Sequence, residues 1–158
     1  MSMTVEGMTT PYERPSTTLR RTGIAGRLFR AAVTAHTVAA FGQPVFAGVY
    51  LTGEIGGLDW HARGADVVFS LALVQAAASA LTRSLWPISL SVLIVSAEAV
   101  QYMAGVSGLL WVHFPLGVML IAALAVLSGA VWVRPLPDRA GADRAGEAGE
   151  QGREETHA

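Results

Sequence analysis

Residues 109–133 read LLWVHFPLGVMLIAALAVLSGAVWV, an apolar run that contains no charged side chain and stops at Arg134-Pro135. About 20 such residues span the roughly 30 Å of hydrocarbon in a bilayer. Working outward from this run, three more apolar segments of similar length precede it, at about 30–52, 62–82 and 85–106. The first follows Arg27 and Arg30, the second ends before Arg83, and the third opens with Trp86-Pro87, where proline is tolerated in a first helical turn. Four spans cannot close a barrel, and lipid leaves no backbone group unpaired, so each span must be a helix. The expected fold is all-α: a transmembrane four-helix up-down bundle.

Composition agrees. The chain has 158 residues, of which 52% are hydrophobic and 15% charged, against about a quarter charged in soluble domains. Between Ala31 and Val133 the charged residues are Glu54, Asp59, Arg63, Asp66, Arg83 and Glu98, and all others lie toward the ends. With no cysteine, the chain has no disulfide, thiolate-bound zinc, iron–sulfur cluster or cysteine nucleophile. A net charge of -1 gives no reason to expect nucleic acid as a partner. No phosphate loop, HExxH or nucleophile elbow is present, so the chain does not read as a stand-alone enzyme.

Arginine placement sets the expected orientation. Arg14, Arg20, Arg21, Arg27 and Arg30 precede the first segment, Arg83 lies between the second and third, and Arg134 and Arg139 follow the fourth. The opposite side carries Arg63 with Glu54 and Asp59. Both termini are therefore expected to be cytoplasmic, in a multi-pass protein of the cell's inner (cytoplasmic) membrane. Residues 1–29 read as a polar cytoplasmic tail, 30–133 as the membrane domain and 134–158 as a disordered, charged cytoplasmic tail. The long charged leader and Gln43-Pro44 argue against a cleaved signal peptide.

The two halves read alike, as two helical hairpins of one repeat. Gln43 is followed by Phe46-Ala47-Gly48-Val49, and Gln101 by Met103-Ala104-Gly105-Val106. After each comes a tryptophan and a histidine, Trp60-His61 and Trp111-Val112-His113, and then a glycine on the same helical face, Gly64 or Gly117. Helices two and four run in the same direction, so His61 and His113 are expected at matching depth on the outer side. They occupy diagonal corners, roughly 11–14 Å apart from axis to axis when neighbours pack at 8–10 Å. Two imidazoles reaching inward across that diagonal suit the two faces of one flat metal ring. Gly64, Gly117, Gly48, Gly105 and Gly108 give a broad plate room, although small residues also serve ordinary helix packing in membranes.

The pattern Gln43…Ala47-Gly48, Asp59-Trp60-His61-Ala62-Arg63-Gly64, Gln101…Ala104-Gly105 and His113-Phe114-Pro115-Leu116-Gly117 resembles an uncharacterised group of small four-helix membrane proteins common in actinobacteria. More distantly, over about 30–133, it resembles one half of heme A synthase. That enzyme pairs two four-helix units, each with haem-site histidines at the outer ends of its second and fourth helices, and His61 and His113 are the matching positions. The resemblance implies haem binding. It does not carry the oxidation chemistry. This chain offers one such site where the enzyme has two, Asp59 stands two residues before its histidine rather than three or four, and the outer-loop cysteines of many of those enzymes are missing.

Further expectations concern the remaining polar residues. Arg63 is expected to meet a haem propionate or to pair with Asp66. Gln43 and Gln101 are expected to orient an imidazole or touch the ring edge, or else to bond between helices. Pro44 frees the carbonyl of Ala40 and should kink the first helix. Glu98, mid-span, is open between a protonated buried acid and part of a proton path, and His36 reads as packing or interfacial. The leading function is a small b-type cytochrome-like protein: one haem b, its iron held by His61 and His113, for electron transfer or haem handling. It would work with a membrane redox partner or as a homodimer. The rival from another class is a cofactor-free accessory or assembly protein that docks through glycine-rich helix faces. A weaker third is a zinc or copper site of His61, His113 and Asp59.

Overall fold

A computed structural model describes residues 23–134 and 136, and these form four α-helices with no strand among them. They are α1 (Ile24–Leu51), α2 (Gly56–Leu81), α3 (Leu85–Val106) and α4 (Leu110–Val133). Residues 1–22 and most of 134–158 lie outside the described residues, and with them the tails assigned there and Arg14, Arg20, Arg21, Arg139 and His157.

Close backbone approaches join α1 to α2, α2 to α3, α3 to α4 and α4 back to α1, and across the diagonals α1–α3 and α2–α4 only side chains meet. The bundle is therefore square in section, with α2 and α4 at opposite corners. Short turns make neighbours antiparallel. At the end carrying the α1–α2 and α3–α4 turns (the turn end), glycine decides both closures. Gly108, at φ 70, ends α3 with Leu109 N–H donating to the Ala104 carbonyl at 2.8 Å and its own N–H to Gly105 at 3.1 Å. That is the left-handed Schellman closure a residue with a Cβ resists. In the other turn, Gly53 takes φ 96, and a Cβ on Gly57 would lie 2.5 Å from the Tyr50 backbone nitrogen.

At the opposite, terminal end, Phe29 and Val33 of α1 meet Leu124, Leu127 and Val131 of α4 in a closed core. Arg30 fastens the same corner. Its Nε donates to the Val131 carbonyl at 2.6 Å and a terminal nitrogen to the Arg134 carbonyl at 3.3 Å, while the guanidinium lies 5.4 Å from the Trp132 ring centre. These are the carbonyls a helix C-terminus leaves without partners. Both α1 and α2 start earlier than their apolar segments, at Ile24 rather than about 30 and at Gly56 rather than about 62.

The helices α2, α3 and α4 are long and apolar enough to cross a membrane, which suits the chain to a bilayer. The first helix does not reach that standard, contrary to the expectation of four equally apolar segments. The reason is its interior polar load. His36 and Thr37 are buried and Gln43 is half-buried, whereas exposed Leu28, Val38, Phe41, Val45 and Leu51 are apolar. The helix continues through Pro44. Its buried face mixes the polar His36 and Thr37 with the apolar Phe29, Val33 and Ala40, while its exposed face over the same stretch is mostly apolar.

Candidate functional site

His61 is the sixth residue of α2 and His113 the fourth of α4, so both lie inside helices near the turn end rather than at the helix mouths. Their rings approach each other across the diagonal in a T-shaped arrangement, with centroids 5.9 Å apart and planes at 78°. Each ring is fixed in the same way. The Nδ1 of His61 donates to the Gln43 carbonyl at 3.2 Å, and that of His113 to the Gln101 carbonyl at 3.0 Å. A carbonyl can only accept, so both imidazoles carry a proton on Nδ1, and Nε2 is the nitrogen left for another partner.

The glutamines act through their backbone where the sequence suggested their side chains. Those side chains go to the glycines. A Cβ on Gly64 would collide with the amide nitrogen of Gln43, and one on Gly117 would lie 2.8 Å from that of Gln101. Gly64 and Gly117 thus make room for a glutamine amide rather than for a flat plate. The same three-part contact of carbonyl to imidazole and amide to glycine occurs in both hairpins. In each, the glutamine Oε1 is buried without a partner. Gly105 does touch the site, since a Cβ there would come within 2.9 Å of the His113 ring, whereas Gly48 meets nothing within 4 Å. Gly108 serves the turn.

Two cavities meet at the histidines. One of about 90 Å³ runs toward the middle of the bundle, lined by His61, His113, Gln43, Gln101, Glu98 and apolar neighbours. The other, about 390 Å³, lies at the turn end with His61, His113, Tyr102, Asp66 and Phe114 among its walls. The space around the two rings is open rather than filled with side chains.

Arg63 lines neither cavity. It pairs with Asp59 at 3.0 Å, both side chains well exposed, so the i, i+3 pairing with Asp66 does not form. Asp66 instead accepts from the Tyr102 hydroxyl at 2.8 Å. With Asp59 turned to Arg63, no group of three or more metal-binding side chains exists among the described residues. A bare zinc or copper ion would find fewer than its usual three or four protein ligands at the histidine pair.

A second polar cluster was not legible as a unit in the sequence. His36 is wholly buried rather than interfacial, its Nδ1 2.9 Å from Oε1 of Gln75 and its Nε2 2.7 Å from Oε1 of Glu98. The latter approach is short without being an aligned hydrogen bond. The Gln75 amide in turn reaches Ser91 Oγ at 3.4 Å, and Gln75 and Ser91 are themselves fully buried. Polar residues stranded mid-span on three successive helices were the available signal.

No protein-family model, curated protein or solved structure matches this chain. The functional reading rests on its own residues.

Proposed function

We propose that this chain is a four-span membrane protein that holds one b-type haem between His61 and His113, serving electron transfer or haem handling. The arginine distribution supports cytoplasmic termini, which puts the haem near the outer face of the inner membrane. The inward-turned polar face of α1 and its apolar outer face support a span by that helix too. The repeated glutamine–histidine–glycine contacts support reading the two hairpins as copies of one unit.

The observation that carries the proposal is the pair of facing rings. Metal–nitrogen bonds of about 2 Å on each side of an iron, plus the distance from each nitrogen to its ring centre, put two ligating imidazoles roughly 6 Å apart. The separation here is 5.9 Å. Ligating histidines almost always donate their other N–H to a carbonyl or carboxylate, and both do so here. A porphyrin brings four nitrogens of its own, so two protein ligands complete its iron. The cavities on either side of the rings are the space it needs. A haem with two imidazole ligands supplies reversible one-electron chemistry and leaves no open iron position for a substrate. The chain's own residues orient the rings, leave Nε2 of each as the nitrogen that would ligate and surround the pair with a mainly apolar wall.

The test is an absorption spectrum of detergent-purified protein made with an adequate haem supply. A Soret band with sharp reduced α and β bands is expected, lost when His61 and His113 are both changed to alanine. Colourless protein that copurifies with a membrane complex would instead favour the accessory role. Its docking faces would then include Gly48 and Gly129, where a Cβ would meet nothing within 4 Å.

A further inference from the structure

Glu98 is the one carboxyl among the described residues that is buried in the bundle interior, at 5% exposure. It also lines the cavity that reaches His61 and His113, though it is hydrogen-bonded to neither. Its protonation can be worked out from its neighbours. The Gln75 Oε1 accepts, so the proton on His36 Nδ1 is committed to Gln75. Two lone pairs cannot face each other at the 2.7 Å between His36 Nε2 and Glu98 Oε1. One of the two atoms therefore carries a proton, as imidazolium with carboxylate or as imidazole with carboxylic acid. Either form is neutral overall, which is how a histidine and a glutamate can be buried together at this depth. One acceptor is left over. Glu98 Oε2 is buried, has no partner and belongs to a cavity-lining side chain.

The groups facing Glu98 leave the assignment narrow. On α1 the titratable neighbour is His36, on α2 the facing residue is uncharged Gln75, and α4 presents Gly117, Leu120, Ile121 and Leu124. On its own helix, Tyr102 is one turn away, and its hydroxyl is committed to Asp66. From Gln75 toward the terminal end, Ser79 and Thr82 continue the same face of α2 and are buried as well.

We infer that the Glu98–His36 pair is a proton-binding site, filled at Glu98 Oε2 when the histidine site gains an electron. The inference rests on the haem reading. An electron added beside a low-dielectric cavity makes that region more negative by one unit, and a proton on Oε2 restores the balance. The step is one electron from a membrane redox donor and one proton from water, which converts the neutral pair into imidazolium with carboxylic acid. On reoxidation both leave.

The experiment is a redox titration of the purified haem-loaded protein between about pH 5 and 8. Expected is a tenfold shift of the reduction equilibrium per pH unit over part of that range, equal to about 59 mV per unit for one electron. Glu98→Gln should flatten the dependence while keeping the bis-histidine spectrum. His36→Gln serves as the second variant if Glu98→Gln does not fold. A redox-difference infrared spectrum of the unmodified protein should show a carboxylic acid band that appears on reduction. A flat potential in the unmodified protein, or a slope that persists unchanged in Glu98→Gln, overturns the inference and leaves the haem reading intact. Absence of any haem band overturns both.

Discussion

At the terminal end Phe29, Val33, Leu124 and Val131 meet with no surface left open, whereas beyond Gln43, Ala72, Glu98 and Leu120 toward the turn end the buried residues are Gly57 and Ala104. The same four helices run through both halves. One half closes on itself with large side chains, and the other is held apart by short turns and closes on small ones. Membrane helices gain little from hiding apolar surface, since lipid is as apolar as leucine, and depend on close packing instead. A half that forgoes packing gives up stability, and a large flat ligand seated between the histidines would restore the missing contacts. The comparison suggests a bundle clamped at one end to hold something at the other.

The largest expected effect strikes the open half. Changing both His61 and His113 to alanine should abolish haem retention, read as loss of the Soret band, while the helical circular dichroism stays. Retained haem would break the comparison at its centre.

Next comes the closed half. Phe29→Ala should lower stability in detergent unfolding by about 2 kcal/mol. That is below the 3–5 kcal/mol of water-soluble cores, because in a bilayer the packing loss remains and much of the transfer loss does not. The equivalent truncation of Phe114, at the wall of the turn-end cavity and 54% exposed, should cost much less in haem-free protein. Equal losses at both sites would show that the two halves are not differently packed.

Smaller effects sharpen the picture. Gly57→Ala should cost about 1–3 kcal/mol, because the clashing atoms are Tyr50 backbone and cannot rotate aside. Ala65→Leu, at a residue lining both cavities, should leave haem-free stability within about 1 kcal/mol while reducing haem uptake in reconstitution. Gly129→Ala, facing open space inside α4, should raise stability by about 0.4–1 kcal/mol through helix propensity alone and serves as the control.

Much of the site could be read in the sequence because its parts recur. Gln43, His61 and Gly64 stand to each other as Gln101, His113 and Gly117 do, and the structure puts each trio in contact. How they touch could not be read. A sequence gives no sign that a glutamine will work through its carbonyl, or that a glycine beside a histidine accommodates an amide rather than a ring. Arg63 choosing Asp59 over Asp66 is a rotamer outcome between two partners of similar helical spacing.

The sequence alone determined the four helices, the bounds of α3 and α4 and the apolar character of three of the helices, because span length and charge placement are local properties of the chain. Only the tertiary structure decided what lies inside. It turned the polar face of α1 inward, gathered His36, Gln75, Ser91 and Glu98 from three helices, and set two histidine rings 5.9 Å apart over a hollow. Those facts depend on the rotation of each helix about its own axis, and in a bundle that rotation is fixed by what the neighbouring helices present.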